Sequence, residues 1–205
     1  MRRRETFRGA IAGLGTESGV RVVVGRWQQS PFGAFVDVML AEPDGTRWLL
    51  APSHEVAEYV GSTYHFDHVE VGPVRATVSG EGHPWTWEVR APGLDVTFDV
   101  GRRTPLGRLL RLVPAALATA PAFAVVTDPI ARIVLRGVRT RGTAGGDRRE
   151  TYGATDLHPV LSAMGAWQGR PMGELRPVTP DPGFGFGSTP ERPSVTSVVT
   201  TITHV

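Results

Sequence analysis

The side chains best suited to chemistry stand in one short stretch, "ETYGATDLHPV", at residues 150–160. Glu150, Tyr152, Asp156 and His158 are separated by even numbers of residues, and on an extended strand such residues project from the same face. Acids, a phenol and an imidazole aligned in this way can bind a polar ligand or transfer protons. We therefore predict Tyr152, Asp156 and His158 as site residues. If the site is catalytic, Asp156 or His158 is the general acid or base and Tyr152 is a hydrogen-bond donor.

The same residues could instead form a solvated strand face. If Gly145 and Gly146 form the loop of a hairpin, Arg141 stands opposite Glu150, and a cross-strand ion pair of this kind contributes little to stability. Against this alternative, the opposite face carries little apolar bulk: Thr151, Gly153, Thr155 and Leu157. A strand that borders a core would then have its tyrosine face at least partly inside. Both interpretations follow from the pattern.

Two absences exclude whole classes of chemistry. All 22 basic residues are arginines and there is no cysteine, so a lysine Schiff base, a P-loop lysine, a thiol nucleophile and thiolate metal sites are excluded. His65 and His68 in "HFDHVE" fall on opposite faces of a strand, without an evident third ligand. "GFGFG" at 183–187 leads towards a strand, whereas a dinucleotide fingerprint opens a helix. We predict no metal and no cofactor.

The elements around these residues are mostly strands. Period-2 alternation is clearest in "PWTWEVRAPGLDVTFDVG", which predicts a half-buried hairpin with Trp85, Trp87 and Phe98 on its apolar face. Ser53 is a predicted helix N-cap, and Gly61 is a predicted left-handed stop for that helix. The pattern predicts a mostly-β, single-domain protein over 1–205, an antiparallel barrel or strongly bent sheet of about eight to ten strands, with a helical insertion at about 104–136.

That insertion overlaps the most apolar stretch of the chain, "RRTPLGRLLRLVPAALATAPAFAVV", at residues 102–126. Only sixteen uncharged residues lie between Arg111 and Asp128, and two prolines interrupt them. Since a membrane-spanning helix needs ~20 apolar residues, the segment is not predicted to cross a bilayer. Leucines recur at helical spacing from Leu106 to Leu117, which predicts an apolar helical layer or lid packed inward on the sheet.

Charge around the insertion leaves a second possibility. Residues 101–149 hold ten arginines against Asp128 and Asp147, while the rest of the chain is acidic. This basic segment either docks on its own acidic body, which we favour, or contacts an anionic membrane as an interfacial helix. The membrane contacts would be Arg102, Arg103, Arg108 and Arg111. Nucleic acid is not predicted as a partner, because base stacking needs aromatic residues and the segment contains only Phe123.

Several stretches resemble an uncharacterised family of proteins from high-GC actinobacteria: "SPFGAFVDVML", "RRTPLG", "TRG", "YGATDLHPV" and "FGFGSTPERPS". The resemblance extends over most of the chain and implies no activity. In addition, Gly25-Arg26-Trp27 resembles the Gly-x-Trp motif of lipocalin-type barrels, which implies a calycin-like barrel. The helical insertion between strands departs from a plain lipocalin, whose helix lies near the end of the chain.

Together these observations predict a binding module for a small, largely apolar molecule in a barrel-like pocket. Trp85, Trp87 and Phe98 would form the apolar walls, while Tyr152, Asp156 and His158 would provide polar specificity. The alternatives are an enzyme that uses the same polar residues, and peripheral association with anionic membranes. A cytoplasmic location is expected, since "MRRRETFRGAIAGLG" has no apolar run of the length that a signal peptide needs.

Overall fold

A computed structural model of the chain describes residues 4–112, 141–143, 148–185 and 189–204. Most of these residues lie in strands, as predicted. The strands are β1 (Arg4–Thr16), β2 (Arg21–Gln29), β3 (Phe35–Ala41), β4 (Arg47–Ala51), β5 (His68–Val71), β6 (Arg75–Ser79), β7 (Trp85–Ala91), β8 (Leu94–Val100), β9 (Arg141–Thr143), β10 (Arg148–Trp167), β11 (Arg170–Pro171), β12 (Leu175–Arg176) and β13 (Ser194–His204). Helices α1 (His54–Gly61) and α2 (Pro105–Leu112) interrupt them.

The strands form one hydrogen-bonded sheet with a main path of β5-β4-β3-β2-β1-β13-β10-β8-β7-β6. Neighbours on this path are antiparallel except for β4 and β5, which are parallel and connected through α1. The sheet curls into a half-barrel, so the predicted mostly-β fold with a strongly bent sheet is confirmed. The single domain over 1–205 stays a prediction.

The bend is centred on the 20-residue strand β10, which belongs to both halves of the sheet. Residues 148–159 of β10 pair with β13, and residues 160–167 pair with β8. The register shifts between Ala154 and Asp156 in the first half and between Val160 and Ser162 in the second. A bulge adds a residue on one strand, bends that strand and increases its local twist. The two bulges therefore bend β10 where it passes from one half of the sheet to the other.

The inner face of the curled sheet is filled by apolar side chains. Val22, Val24 and Leu40 pack there against residues of β7 and β8. The predicted hairpin is confirmed, since Trp87 stands opposite Phe98 across these two strands. This cluster connects the two halves of the sheet, and we call the face that carries it the inner face.

The outer face of β1 to β4 is covered by α1, whose buried residues Val56 and Val60 pack on Leu49 and Met39. The N-cap prediction is confirmed: the Ser53 side chain accepts a hydrogen bond from the Val56 N–H at 3.3 Å.

The predicted left-handed stop at Gly61 is wrong, because the helix continues through Gly61 to an αR cap at Ser62. The hydroxyl groups of Ser62 and Thr63 donate to the Tyr59 carbonyl oxygen at 2.7 and 3.0 Å. This carbonyl at the helix end is therefore satisfied without a left-handed residue.

Helix α2 packs on β10 in a different way from the one predicted. Its closest approach is through Gly107, where a Cβ would lie 2.5 Å from the Leu157 carbonyl oxygen. Leu106 and Leu110 are only half-buried, and Leu109 and Leu112 are 59% and 78% exposed. The expectation of an inward leucine face is therefore wrong for this helix, because a glycine lets its backbone approach the strand. Residues 113–136 of the predicted insertion, including Val113 and Leu117, lie outside the described residues.

A further prediction concerns the chain around residue 150. Gly142, and not Arg141, stands opposite Glu150, because the pairing of β9 with β10 is shifted by one residue from the predicted hairpin register. In the described part of the chain, no helix is long and apolar enough to span a membrane.

Candidate functional site

The predicted site residues of β10 do not share one face. Ala154 pairs with Val198 and Asp156 pairs with Ser197, so Thr155 is an extra residue between them. Even spacing places residues on the same face only when the strand is regular. The bulge therefore leaves Tyr152 on the outer face and turns Asp156 and His158 away from it, and the expectation of one common face is wrong.

Asp156 is bound to the segment that precedes α2. The Arg103 Nε–H group lies 2.7 and 2.9 Å from the two Asp156 carboxylate oxygens, and the Leu157 N–H donates to Oδ1 at 2.9 Å. Burial by itself would raise the pKa of Asp156, but these hydrogen bonds, with the nearby positive charges, lower it below its ordinary value. The pair holds the start of α2 against the sheet. Arg103 is thus occupied within the protein and is not a free membrane contact.

His158 lies beside this pair and is 4% exposed. Its Nδ1 donates to the Gly101 carbonyl oxygen at 2.9 Å, and its Nε2 is 3.5 Å from Asp156 Oδ2. The ring of Trp85 packs against the imidazole with centroids 5.0 Å apart. Asp156 and His158 are therefore in contact, as an acid–base pair would require. Both groups hold neighbouring chain segments, and Tyr152 is on the other face of the sheet.

The predicted apolar walls are also placed elsewhere. Phe98 is 1% exposed and its ring stacks on that of Trp87 with centroids 5.6 Å apart, both inside the inner cluster. Trp85 is half-buried at the margin of that cluster. None of the three lines the pocket on the outer face of the sheet. The alternation in β7 and β8 identified core residues, and in this structure they fill the interior.

A different pocket opens between the outer face of the sheet and α1, with a volume of about 50 Å³. One water needs about 10–15 Å³ of such space, so the pocket has room for about four water molecules. Its walls come from β1, β2, β3, β10, β13 and the segment around α1. The lining residues are Phe7, Ile11, Val23, Gly25, Trp27, Phe35, Asp37, Met39, Tyr59, Val60, Thr63, Tyr64, Tyr152, Thr200 and Ile202.

The most unusual group in this lining is Asp37 of β3, which is 4% exposed. The indole N–H of Trp27 donates to its Oδ1 at 2.9 Å. Burial raises the pKa of Asp37 to about 7, although the hydrogen bond from Trp27 opposes this effect. Near neutral pH the carboxyl group therefore exists in both protonation states, which is a property of many ligand-binding and catalytic carboxyl groups.

Gly25 makes the contact between Asp37 and Trp27 possible. It stands directly opposite Asp37 in the β2–β3 ladder. A Cβ at residue 25 would lie 2.4 Å from Asp37 Oδ1 and 2.7 Å from Trp27 Nε1. Both distances are far below van der Waals contact, so only glycine leaves room for the indole to reach the carboxyl group.

Hydroxyl groups supply the remaining polar atoms of the pocket. The hydroxyl groups of Tyr64 and Tyr152 contact each other directly. The Tyr59 hydroxyl donates to Glu5 Oε2 at 2.5 Å. The Thr200 Oγ1 atom is buried and has no hydrogen-bond partner among the described residues. A buried hydroxyl without a partner is costly, and a ligand atom in the pocket could satisfy it.

Sequence reasoning identified Tyr152 but missed Asp37, Thr200, Tyr64 and the role of Trp27. A signal for Asp37 was present in "FVDVML", where an acid alternates with Phe35 and Met39 on one face of a strongly apolar strand. Tyr64 and Thr200 are distant in sequence, and no local pattern connects them with that strand. Among the described residues, no group of three or more potential ligand side chains could hold a metal ion.

The arginine-bearing segment presents a second surface. Arg102, Arg108 and Arg111 are exposed, as are Leu109 and Leu112. Cationic and apolar groups therefore lie side by side on this part of the chain.

Comparison with known proteins adds little to this geometry. No family model matches the sequence, and no curated protein matches it. Among solved structures, the chain is similar to a candidate AttH protein from Nitrosomonas europaea, with 13% sequence identity and a TM-score of 0.33. The match covers 98% of this chain and 51% of that one, so the chain spans about half the length of that protein. A likeness of this strength assigns no function.

Proposed function

We propose that this protein binds a small, largely apolar molecule in the pocket between α1 and the outer face of the sheet. The observation that carries the proposal is a lining of aromatic and aliphatic side chains around a few buried polar groups. Ligand sites are typically built in this way, with apolar walls for affinity and a small number of polar atoms for orientation. The Thr200 hydroxyl, which is buried without a partner, supports the proposal further.

NMR titration with small uncharged probes, toluene and 3-methylbutan-1-ol, tests this function. We expect saturable chemical-shift changes in the methyl groups of Ile11, Val23 and Met39, which line the pocket. Thr63 also lines it and is half-buried, so Thr63→Trp should fill the space and abolish the changes.

The matched control is Thr77→Trp, which adds the same indole to the exposed strand β6. This variant should bind the probes like the wild type. If wild-type protein gives no saturable changes, or if Thr63→Trp responds like the control, the pocket does not bind apolar molecules.

Peripheral association with anionic membranes is a second candidate function, favoured by the exposed Leu109 and Leu112 beside Arg108 and Arg111. Sedimentation with vesicles of phosphatidylserine and phosphatidylcholine tests it, with pure phosphatidylcholine as control. Binding that needs the anionic lipid, weakens with salt and is reduced in Leu112→Glu supports this function. Failure to sediment with anionic vesicles at low salt excludes it.

An enzymatic role for Asp156 and His158 has less support. They are in contact, but both hold the chain around α2, and the third predicted group, Tyr152, lines the pocket on the other face. A calycin-like relationship also remains a proposal, supported by the motif Gly25-Arg26-Trp27, of which Gly25 and Trp27 line one pocket.

A further inference from the structure

Asp37 is a buried carboxyl group that has no counter-charge among the described residues. It is buried, and no basic side chain lines the pocket with it. In the described part of the chain, no salt bridge involves Asp37, and its hydrogen-bond partner is the neutral indole of Trp27. Ionising a buried carboxyl group without a counter-charge is costly, and buried charges in proteins are normally paired.

The choice of a carboxyl group at this position is informative, because an amide could make similar hydrogen bonds without the free-energy cost of burying a charge. An asparagine in place of Asp37 could accept the same indole hydrogen bond and offer an N–H donor to a neutral ligand at every pH. Only a carboxylate adds negative charge. A carboxyl group that can become negatively charged in an apolar site is suited to binding a positively charged partner.

The walls of the pocket favour the same charge. The rings of Phe7, Trp27 and Phe35 line the pocket together with Asp37. They pack against one another with centroid separations of 5.7 Å for Phe7–Trp27, 6.5 Å for Phe7–Phe35 and 6.4 Å for Trp27–Phe35. Aromatic faces attract cations through their quadrupole, and sites for organic ammonium groups commonly use them. The Thr200 Oγ1 atom can accept a hydrogen bond from an ammonium N–H.

We propose that this pocket binds the ammonium group of a small amine with an apolar body, and that Asp37 is its counter-ion. This inference rests on the proposed function and specifies its ligand class. A pocket of about 50 Å³ accommodates an ammonium group and its neighbouring carbon atoms, and the rest of the molecule lies towards the opening. An anionic ligand would find no counter-charge in the lining and would be repelled by Asp37.

Binding of an amine should depend on pH through Asp37. The other titratable side chains in the lining are Tyr59, Tyr64 and Tyr152, and Glu5 is hydrogen-bonded to Tyr59; none of them is cationic. Since burial raises the pKa of Asp37 to about 7, the carboxyl group must lose its proton to pair with an ammonium group. Affinity for the amine should therefore rise between about pH 6 and pH 8, with release of a proton on binding.

Calorimetric titration with three molecules of nearly equal shape tests the inference: 3-methylbutylamine, 3-methylbutan-1-ol and 3-methylbutanoate. At about pH 8 we expect the amine to bind at least about tenfold more tightly than the alcohol, a difference of about 1.4 kcal/mol, and the carboxylate not to bind. In Asp37→Asn the advantage of the amine over the alcohol should be lost. Asp95→Asn, which changes an exposed acid on β8, should leave it unchanged.

The outcomes separate this inference from the proposed function. Equal affinity for amine and alcohol, or an amine affinity that falls as the pH rises, would overturn the role of Asp37 as counter-ion while the pocket remains a site for apolar molecules. An unchanged preference for the amine in Asp37→Asn would also overturn it. If none of the probes binds, including toluene, the proposed function fails and the inference fails with it.

Discussion

Replacement of Asp37 by asparagine should change the pH dependence of stability. The variant keeps the size of the side chain and an oxygen that can accept the Trp27 N–H, so the packing of the pocket is preserved. It replaces the ionisable carboxyl group by an amide that stays neutral at every pH. Its effect on the free energy of unfolding therefore isolates the cost of ionising the buried carboxyl group.

The magnitude follows from the pKa of Asp37, which burial raises from 3.8 to about 7. Between these values the folded protein holds a proton that the unfolded chain has lost, so the free energy of unfolding falls as the pH rises. The stabilising contribution is complete below about pH 3.8 and is lost as the pH passes through about 7. With about 1.4 kcal/mol for each pKa unit, the full change is about 4 kcal/mol.

Urea denaturation followed by circular dichroism from about pH 4 to pH 9 measures this change. We expect the variant to gain stability relative to wild type by about 4 kcal/mol over that range, and to be the more stable protein at alkaline pH. Asp95→Asn, at an exposed site paired with Arg90 at 3.5 Å, should follow the wild-type profile closely. Parallel profiles for wild type and Asp37→Asn would refute the account of Asp37 as a buried group that loses stability on ionisation.

Two further predictions concern the packing around the pocket and α2. Gly25→Ala should destabilise the protein by about 1–3 kcal/mol in urea denaturation, because the added methyl group overlaps the buried carboxyl–indole pair. The control is Gly61→Ala, which should be neutral or slightly stabilising because residue 61 has open space around it. Equal effects of the two substitutions would contradict the packing argument. Arg103→Ala should lower the urea midpoint more than Arg90→Ala does, because it leaves the half-buried Asp156 without its charged partner. The exposed Arg90 is the matched control, and its replacement by alanine should cost less than about 1 kcal/mol.

Much of the fold could be predicted from local patterns. The hairpin of β7 and β8 was evident because strict alternation places one apolar face on a core, and the structure confirms Trp87 opposite Phe98. The start of α1 was evident because a serine N-cap satisfies free N–H groups through a local hydrogen bond. Its end was mispredicted, since hydroxyl groups of Ser62 and Thr63 replaced the expected glycine cap.

The candidate site could be predicted only in part, for a physical reason visible in β10. A single extra residue, Thr155, reverses which side chains face outwards, and so separates Tyr152 from Asp156 and His158. The position of a bulge depends on how β10 pairs with β13, a strand about forty residues further along the chain. No local periodicity reports that pairing.

The sequence by itself determined the alternation of strands, the start of α1, and the absence of lysine and cysteine chemistry, because each depends on residue type and near neighbours. Only the tertiary structure decided that the interior of the curled sheet is filled and that the pocket lies under α1. It also decided that Tyr64, Tyr152, Thr200 and Asp37 meet there. Contacts between distant segments arise from packing and strand register, and the energies that select them are shared among residues that no short stretch contains.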